Sequence, residues 1–363
     1  MSRSEPDGVN GTMSSANCNP HWTAFASFSG RLSPMRRSFH STRLRSCATA
    51  VLALVISAMA AAAQQYPSRP ITIIVPYPAG GPTDQLARVM GPALSEKLGQ
   101  PFIIENVSGG GTTIATARVA RATPDGYTLL LHNLQISANV SLYPNLPFDT
   151  EKDLTPVIFV NHNPLVLTGR TTLVPNTLKE LIATMRTSVL KMAHPGVGAT
   201  GHLATCLFAQ EAHVTVDQIP YRGAAPALQD VAGGHVDLFF AAPQSVVEQA
   251  ASGQIKAYGI TAKQVSPHFP HAASLVQELG PKLEILYWHA VFAPAGTPGD
   301  IVARLNSAVQ EMLAYPVIMK SWSESDVAPF PQDQRSPAAA RALLRDEIAR
   351  WSEVVRTNNI QAP

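Results

Sequence analysis

Short apolar runs alternate with amphipathic stretches along most of the chain after about residue 70. Ile71–Tyr77 is a β-branched run typical of a strand. Pro82–Leu98 follows it with apolar residues three and four positions apart, as on one face of a helix. The same order returns with a strand predicted at Phe102–Val107 and a helix predicted at Ile114–Arg121. This alternation is typical of α/β domains, in which helices cover both faces of a sheet.

The alternation continues to the C-terminal end. Further strands are predicted at Tyr127–His132, Lys191–Ala193, Thr215–Tyr221, Val236–Ala242, Ile255–Thr261 and Tyr287–Ala293. Further helices are predicted at Thr200–His213, Ala224–Ala232, Ser245–Ala251, Gly299–Ala314 and Ala338–Thr357. Hydrophobic residues make up 45% of the chain and charged residues 14%, which excludes a disordered or coiled-coil protein. A chain of 363 residues is long enough for two domains.

The first 63 residues are interpreted as an export leader rather than as part of the fold. A basic stretch that begins at Met35 precedes an uncharged run from Cys47 to Ala63, and this run ends in three alanines. That order is typical of a secretory signal peptide, so residues 35–63 are predicted to be one, cleaved near Ala63. Residues 1–34 are interpreted as an over-extended start or a disordered leader. The apolar run of about 17 residues is marginal for a membrane anchor.

Removal of this leader changes the charge of the chain. The formal net charge is +2, but the leader holds six of the 27 Lys and Arg residues and only two of the 25 Asp and Glu residues. The chain from Gln64 onward therefore carries a net charge of −2, which gives no basis for nucleic-acid binding. Cys18 and Cys47 also lie in the leader. Cys206 alone remains, so an intramolecular disulfide and a cysteine-held zinc site are both excluded from the mature chain.

Three glycine-rich loops stand where a predicted strand passes into a predicted helix, at residues 76–84, 106–113 and 195–202. Free backbone N–H groups at a helix start, together with the helix dipole, can bind an anion without a charged side chain. The loop at 76–84 is equally consistent with a tight turn capped by Thr83 or Asp84. The loop at 106–113 has neither the G-x-G-x-x-G spacing nor the Walker lysine, so a dinucleotide or phosphate-loop site is disfavoured there.

Several segments of the chain resemble the Bug/TctC family, the periplasmic solute-binding receptors of tripartite tricarboxylate transporters. These segments are Tyr66–Asp84, Asp125–Leu130, Pro220–Leu228, Gly234–Phe239 and Phe292–Pro298. The resemblance covers about residues 66–363 in the expected order. It implies an α/β fold of two domains in the type II periplasmic-binding (flytrap) class. Each domain would be a mixed, mostly parallel sheet flanked by helices, with residues 64–167 and 288–363 in domain 1 and residues 168–287 in domain 2.

The resemblance also implies a function. The protein would capture a small organic carboxylate between its domains for uptake by membrane permease subunits, act as a monomer and need neither cofactor nor metal. In that family the first-domain loop and the second-domain loop hold the carboxylate. The ligand-binding residues implied here are Tyr77, Ala79, Gly80, Gly81, Thr83, Asp84, Asn133, Gly198, Ala199, Thr200, His202 and Ala242.

The sequence departs from the family pattern at positions expected to select the ligand. After the run here at Val236–Phe240, many members of that family carry an acid followed by an asparagine or a similar polar residue, whereas this chain has Ala241 and Ala242. Loss of that acid disfavours a ligand with an amino group. His132 is interpreted either as a reader of a second polar group or as a solvated strand-end residue, and Trp288 either as a cleft residue or as core at the hinge.

The alternative function is a secreted hydrolase or another enzyme on an α/β scaffold. It is disfavoured because the chain contains no G-x-S-x-G elbow and no H-E-x-x-H helix. The histidines after the leader are scattered singly, apart from the two that flank a glycine turn, His194 and His202.

Overall fold

Two six-stranded sheets organise the computed structural model, which describes residues 66–361. The signal peptide and the cleavage site predicted from the sequence lie outside these residues. The first sheet contains β1 (Ile71–Val75), β2 (Phe102–Asn106), β3 (Thr128–Asn133), β4 (Leu154–Asn163), β11 (Tyr287–Pro294) and β12 (Ala328–Pro329). Its spatial order is β12-β4-β11-β3-β1-β2.

The second sheet takes its strands from the middle of the chain. They are β5 (Val166–Arg170), β6 (Leu190–His194), β7 (Val216–Pro220), β8 (Leu238–Ala241), β9 (Ile255–Ile260) and β10 (Ala273–Ser274). The spatial order is β10-β9-β5-β8-β6-β7. We call each sheet with its helices a domain, first and second in that order.

Helices connect the strands in both domains. Those of the first domain are α1 (Pro82–Leu98), α2 (Thr113–Ala120), α3 (Gln135–Leu142), α9 (Gly299–Met312), α10 (Pro316–Ser323) and α11 (Pro337–Thr357). Those of the second domain are α4 (Leu178–Thr187), α5 (Thr200–Ala212), α6 (Ala224–Ala232), α7 (Val247–Ala251) and α8 (Leu275–Leu279). No helix of residues 66–361 is both long and apolar enough to span a bilayer.

Both sheets are mixed, as predicted, but they are not mostly parallel, because only five of the ten strand pairings among the described residues are parallel. In the first sheet β1 pairs parallel with β2 and β3, while β11 runs antiparallel to β3 and β4. In the second sheet β6 pairs parallel with β7 and β8, while β5 runs antiparallel to β8 and β9. The antiparallel strands β4, β5 and β11 are those at which the chain passes from one sheet to the other.

The first sheet is covered on both faces, because alternate residues of its strands enter different cores. Ile71 and Ile73 of β1 are fully buried with side chains of α1 and α9. Ile74, also fully buried, belongs to the core that contains Leu344 and Trp351 of α11. Parallel strands that are buried on both faces explain the continuous apolar runs in the sequence.

The chain crosses between the sheets at two neighbouring places, just before Val166 and just before Tyr287. One buried side chain joins the two crossings. The Thr261 hydroxyl accepts a hydrogen bond from the Leu165 N–H (2.7 Å) and donates one to the Ile285 carbonyl oxygen (2.8 Å). Both crossings are therefore bonded to the same residue of the second domain.

The predicted elements compare well with the observed ones. Helices α1 and α6 have the predicted bounds, and the predicted strands are found within three residues of their predicted ends. Among the helices and strands described above, eight had not been predicted: α3, α4, α8, α10, β4, β5, β10 and β12.

Candidate functional site

A narrow cleft lies between the two domains and is lined by loops and helix starts from both. Eight of the twelve ligand-binding residues implied by the resemblance line it: Tyr77, Ala79, Gly81, Thr83, Asn133, Ala199, Thr200 and Ala242. The other four, Gly80, Asp84, Gly198 and His202, do not line the cleft and instead hold its loops in shape.

In the first loop, the buried Asp84 carboxylate makes hydrogen bonds that hold the loop in its conformation. It accepts hydrogen bonds from the Gly80 N–H (2.9 Å), the Asn106 side-chain amide (3.0 Å) and the Arg88 guanidinium (2.9 Å). Burial alone would raise the pKa of Asp84, but these bonds hold the pKa below its ordinary value. The Asp84 carboxylate thus holds the conformation of the loop from the side away from the cleft. Helix α1 begins at the cleft with Gly81 as its N-cap, and no side chain caps it.

In the second loop, His202 has the equivalent role. Its Nδ1 accepts a hydrogen bond from the Gly198 N–H at 3.0 Å, and its ring stacks on that of His194 with the ring centroids 4.4 Å apart. Burial, with the neighbouring His194, lowers the pKa of His202 to about 4. The imidazole is therefore neutral near pH 7 and remains an acceptor.

Helix α5 begins at the cleft with a polar group that has no partner. Thr200, its first residue, is 4% exposed, and its Oγ1 atom makes no hydrogen bond with the described residues. The N–H groups of Thr200 and Gly201 also make none with them, and the N-cap Ala199 cannot supply a side-chain cap. Buried polar groups are nearly always hydrogen-bonded, so these three groups indicate a place for a ligand.

A third helix start, which the sequence reasoning did not assign to the site, completes the second-domain wall. Gly223, with a φ of 109°, is the N-cap of α6, and Arg222 beside it is exposed and lines the cleft. Within residues 66–361, Arg222 forms no ion pair. The signal that could have identified it is the strand–glycine–helix order at Pro220–Ala224, which repeats that of the two loops already chosen.

The rest of the lining is apolar or neutral. Leu165, Phe239 and Phe240 form an apolar wall, and Tyr287, another residue that sequence reasoning did not assign to the site, contributes a phenol. No Asp or Glu is among the cleft-lining residues of the part of the chain that the structure describes. The described residues also contain no group of three or more His, Cys, Asp or Glu side chains that could hold a metal ion.

Two aromatic candidates lie away from the cleft. His132 is fully buried, its Nε2 is 3.0 Å from Thr112 Oγ1, and burial lowers its pKa to about 3. It is therefore not the solvated strand-end residue of one interpretation. Trp288 packs on Phe159 and donates a hydrogen bond from its indole N–H to Glu347. Trp288 is accordingly a core residue of the first domain.

The two domains also touch outside the cleft lining, between α3 and the second loop. The Gln135 side-chain amide of α3 donates to the Val197 carbonyl oxygen of the second loop at 3.3 Å. Gly198 packs so closely on α3 that a Cβ atom there would be 2.2 Å from Leu142 Cδ2. These contacts describe a closed cleft.

Comparison with known proteins agrees with this architecture. Residues 86–360 match the model of the tripartite tricarboxylate transporter family receptor, TctC. Protein BugT of Bordetella pertussis is 36% identical over 314 residues, which are 85% of this chain and 94% of BugT.

Two solved structures are similar to the whole described body. The periplasmic binding protein BugD has a TM-score of 0.77 and 31% sequence identity, over 82% of this chain and 99% of BugD. MatC from Rhodopseudomonas palustris, with bound malate, has a TM-score of 0.74 and 34% identity, over 80% of this chain and 100% of MatC. Because the family and these neighbours are solute-binding receptors, the enzyme alternative is set aside. The chain belongs to the TctC family of Bug-type periplasmic solute-binding receptors.

Proposed function

We propose that this receptor captures a small organic carboxylate that has no amino group, and that it does so by closing its two domains over the ligand. The observation that carries the proposal is the convergence of three helix N-termini, those of α1, α5 and α6, on a cleft without a lining acid. None of the three is capped by a side chain. Each of these helix starts favours negative charge.

The partnerless groups at the start of α5 give the ligand a defined place. Two adjacent backbone N–H groups and the Thr200 hydroxyl form a set of donors that matches the oxygens of one carboxylate. Arg222 adds the only formal charge among the cleft-lining residues. A second anionic group of the ligand would be neutralised there.

The absence of a lining acid determines what the cleft excludes. An ammonium group in the closed cleft would be removed from water without an anionic partner, which is costly. Ala242 lines the cleft directly after β8, and neither it nor Ala241 supplies the acid that the family resemblance led us to expect there. The malate bound in MatC, a dicarboxylate without an amino group, agrees with this class of ligand.

The remaining parts of the proposal concern the cell. We infer export to the periplasm with cleavage near Ala63, and delivery of the acid to permease subunits of a tripartite tricarboxylate transporter, with the receptor acting as a monomer. The proposed domain limits, 64–167 with 288–363 and 168–287, come from the family resemblance. The observed strands change sheet between Asn163 and Val166 and between Ser274 and Tyr287.

A thermal-shift comparison of matched acids tests the ligand class. Succinate and aspartate differ only by an amino group, as do glutarate and glutamate. Malate and either succinate or glutarate are expected to raise the unfolding temperature of the mature protein by a few degrees at about 100 times Kd, whereas aspartate and glutamate leave it unchanged. A rise with aspartate but with none of the amine-free acids would contradict the proposal.

The Thr200 hydroxyl is expected to contribute directly to binding. Thr200→Val keeps the shape of the side chain but removes the donor, so the affinity for malate should fall by about 1.5–3 kcal/mol, as for other hydrogen bonds to a charged group. Thr200→Ser keeps the hydroxyl and is the matched control. Isothermal titration calorimetry of the three proteins measures the difference, and equal affinities would place the carboxylate elsewhere.

A further inference from the structure

Beneath the floor of the cleft, buried polar side chains form a chain of hydrogen bonds that ends at Tyr287. It runs from Asn161 of β4 through His289 of β11 to Thr83 at the start of α1, where Asn133 of β3 joins it. All five residues are at most 7% exposed. Thr83, Asn133 and Tyr287 also line the cleft, so the direction of each bond decides which protons face a ligand.

The first bond fixes the proton of His289. Its Nδ1 atom is 2.9 Å from Asn161 Oδ1, which can only accept, so Nδ1 carries the hydrogen. Complete burial lowers the pKa of His289 to about 3, so the ring holds a single proton. Its Nε2 atom is therefore an acceptor, and it takes the hydroxyl proton of Thr83 across 3.2 Å. Thr83 has then no proton left for a ligand.

Asn133 is fixed in the same way. Its Oδ1 atom accepts hydrogen bonds from the Tyr77 hydroxyl (2.7 Å) and the Gln135 backbone N–H (3.0 Å). Its two amide protons go to Thr83 Oγ1 (3.2 Å) and to the Tyr287 hydroxyl oxygen (3.0 Å). Asn133 therefore has no proton to spare, and Tyr287 serves it as an acceptor.

The proton of Tyr287 is the one that these bonds leave without a good acceptor. The nearest acceptor among these residues is Thr83 Oγ1 at 3.3 Å, beyond the usual range of about 2.5–3.0 Å for O–H···O bonds. Resting on the proposed function, we infer that the Tyr287 hydroxyl donates this proton to an oxygen of the bound acid. Tyr287 is thereby a specificity-determining residue.

This assignment narrows the class of ligands that the cleft is expected to bind. The floor of the cleft selects a ligand that presents an acceptor oxygen there, such as a carboxylate or a keto oxygen, and disfavours one that presents only an N–H donor. Burial raises the pKa of Tyr287 to about 12, so the phenol keeps its proton throughout the physiological range. Tyr258 of β9 is also a buried tyrosine, but it does not line the cleft, and its hydroxyl donates to the Pro175 carbonyl oxygen at 2.8 Å. Removal of its hydroxyl therefore leaves the groups that face the ligand unchanged.

Tyr287→Phe and Tyr258→Phe form a matched pair for calorimetry with malate and succinate. Tyr287→Phe is expected to raise Kd roughly 10- to 100-fold, because a hydrogen bond to a charged group is lost. Tyr258→Phe is expected to change Kd less than about threefold, since it removes a hydrogen bond within the second domain, away from the cleft. Circular dichroism and the unfolding temperature verify that both variants fold.

Each result has a distinct meaning. Wild-type affinity in Tyr287→Phe, or an equal loss in Tyr258→Phe, would overturn the role of Tyr287 and leave the carboxylate function intact. Failure of the wild-type protein to bind any of the matched acids would contradict the proposed function, and the inference with it.

The proton directions can be tested without a ligand. Long-range ¹H–¹⁵N correlation spectra of the ligand-free protein are expected to show His289 as the neutral Nδ1–H tautomer near pH 7. His289→Gln identifies the signal. The Nε2–H tautomer would make Thr83 an acceptor from His289, which would free the Thr83 proton for the cleft and overturn the inference.

Discussion

The substitution Ala242→Asp is expected to weaken malate binding about a thousandfold. Ala242 lines the closed cleft and is 6% exposed, so a carboxylate there would face the ligand carboxylate with little water between them. Two like charges about 4 Å apart repel by about 4 kcal/mol at an effective dielectric constant of 20. Every 1.4 kcal/mol corresponds to about a tenfold change in Kd, so a repulsion of about 4 kcal/mol raises Kd by about three orders of magnitude.

Ala242→Asn separates charge from size in this experiment. Asparagine has the volume of aspartate but no charge, so its effect measures the loss of space alone and should stay near tenfold, since overpacking costs about 1–3 kcal/mol. Calorimetry of both variants with malate is the measurement. Equal losses in the two would mean that the site is not an anion site at Ala242.

Gly198→Ala is expected to raise Kd for malate roughly 10- to 100-fold by opposing closure. An alanine Cβ would be 2.2 Å from Leu142 Cδ2 of the first domain, and Leu142 is only 3% exposed, so it must repack. Repacking of this kind costs about 1–3 kcal/mol. Because the cost arises only when the domains meet, it lowers the population of the closed state and hence the apparent affinity.

Two further variants isolate the contact. Gly198 has a φ of 76°, and Gly234 has a φ of 79° with open space around it, so Gly234→Ala carries the same backbone strain without the clash. It should bind malate normally. Adding Leu142→Ala to Gly198→Ala removes the clashing methyl group and should restore much of the affinity. If the double variant binds no better than Gly198→Ala, backbone strain rather than closure is responsible.

The sequence predicted the elements whose ends carry their own signals. Helix α1 has Pro82 in its first turn and Gly99, with a φ of 70°, directly after its last residue. Both ends of α1 can therefore be predicted from the sequence. Helix α3 has neither: it follows β3 almost directly and has no side-chain cap. Strand β4 is buried on both faces and contains Pro156, so it shows no alternation of polar and apolar residues.

The site was predictable only where a loop and a helix start are contiguous. Four predicted ligand-binding residues instead stabilise the loops through hydrogen bonds within the protein: Gly80, Asp84, Gly198 and His202. The sequence could not show this, because the direction of a side chain in a loop depends on its hydrogen-bond partners. Tyr287 is about 150 residues from Asn133, and only the antiparallel register that pairs His289 with Asn133 brings them together. Such long-range register is not encoded in any local pattern.

The hydrogen bonds of Thr261 have a mechanical consequence. Because one hydroxyl bonds both the crossing at Leu165 and the crossing at Ile285, the two connections are expected to move together rather than independently. A rotation of one domain against the other would then break the Gln135–Val197 and Gly198–Leu142 contacts in the same movement. A partner that docks on both domains would therefore distinguish the orientation with these contacts from one without them.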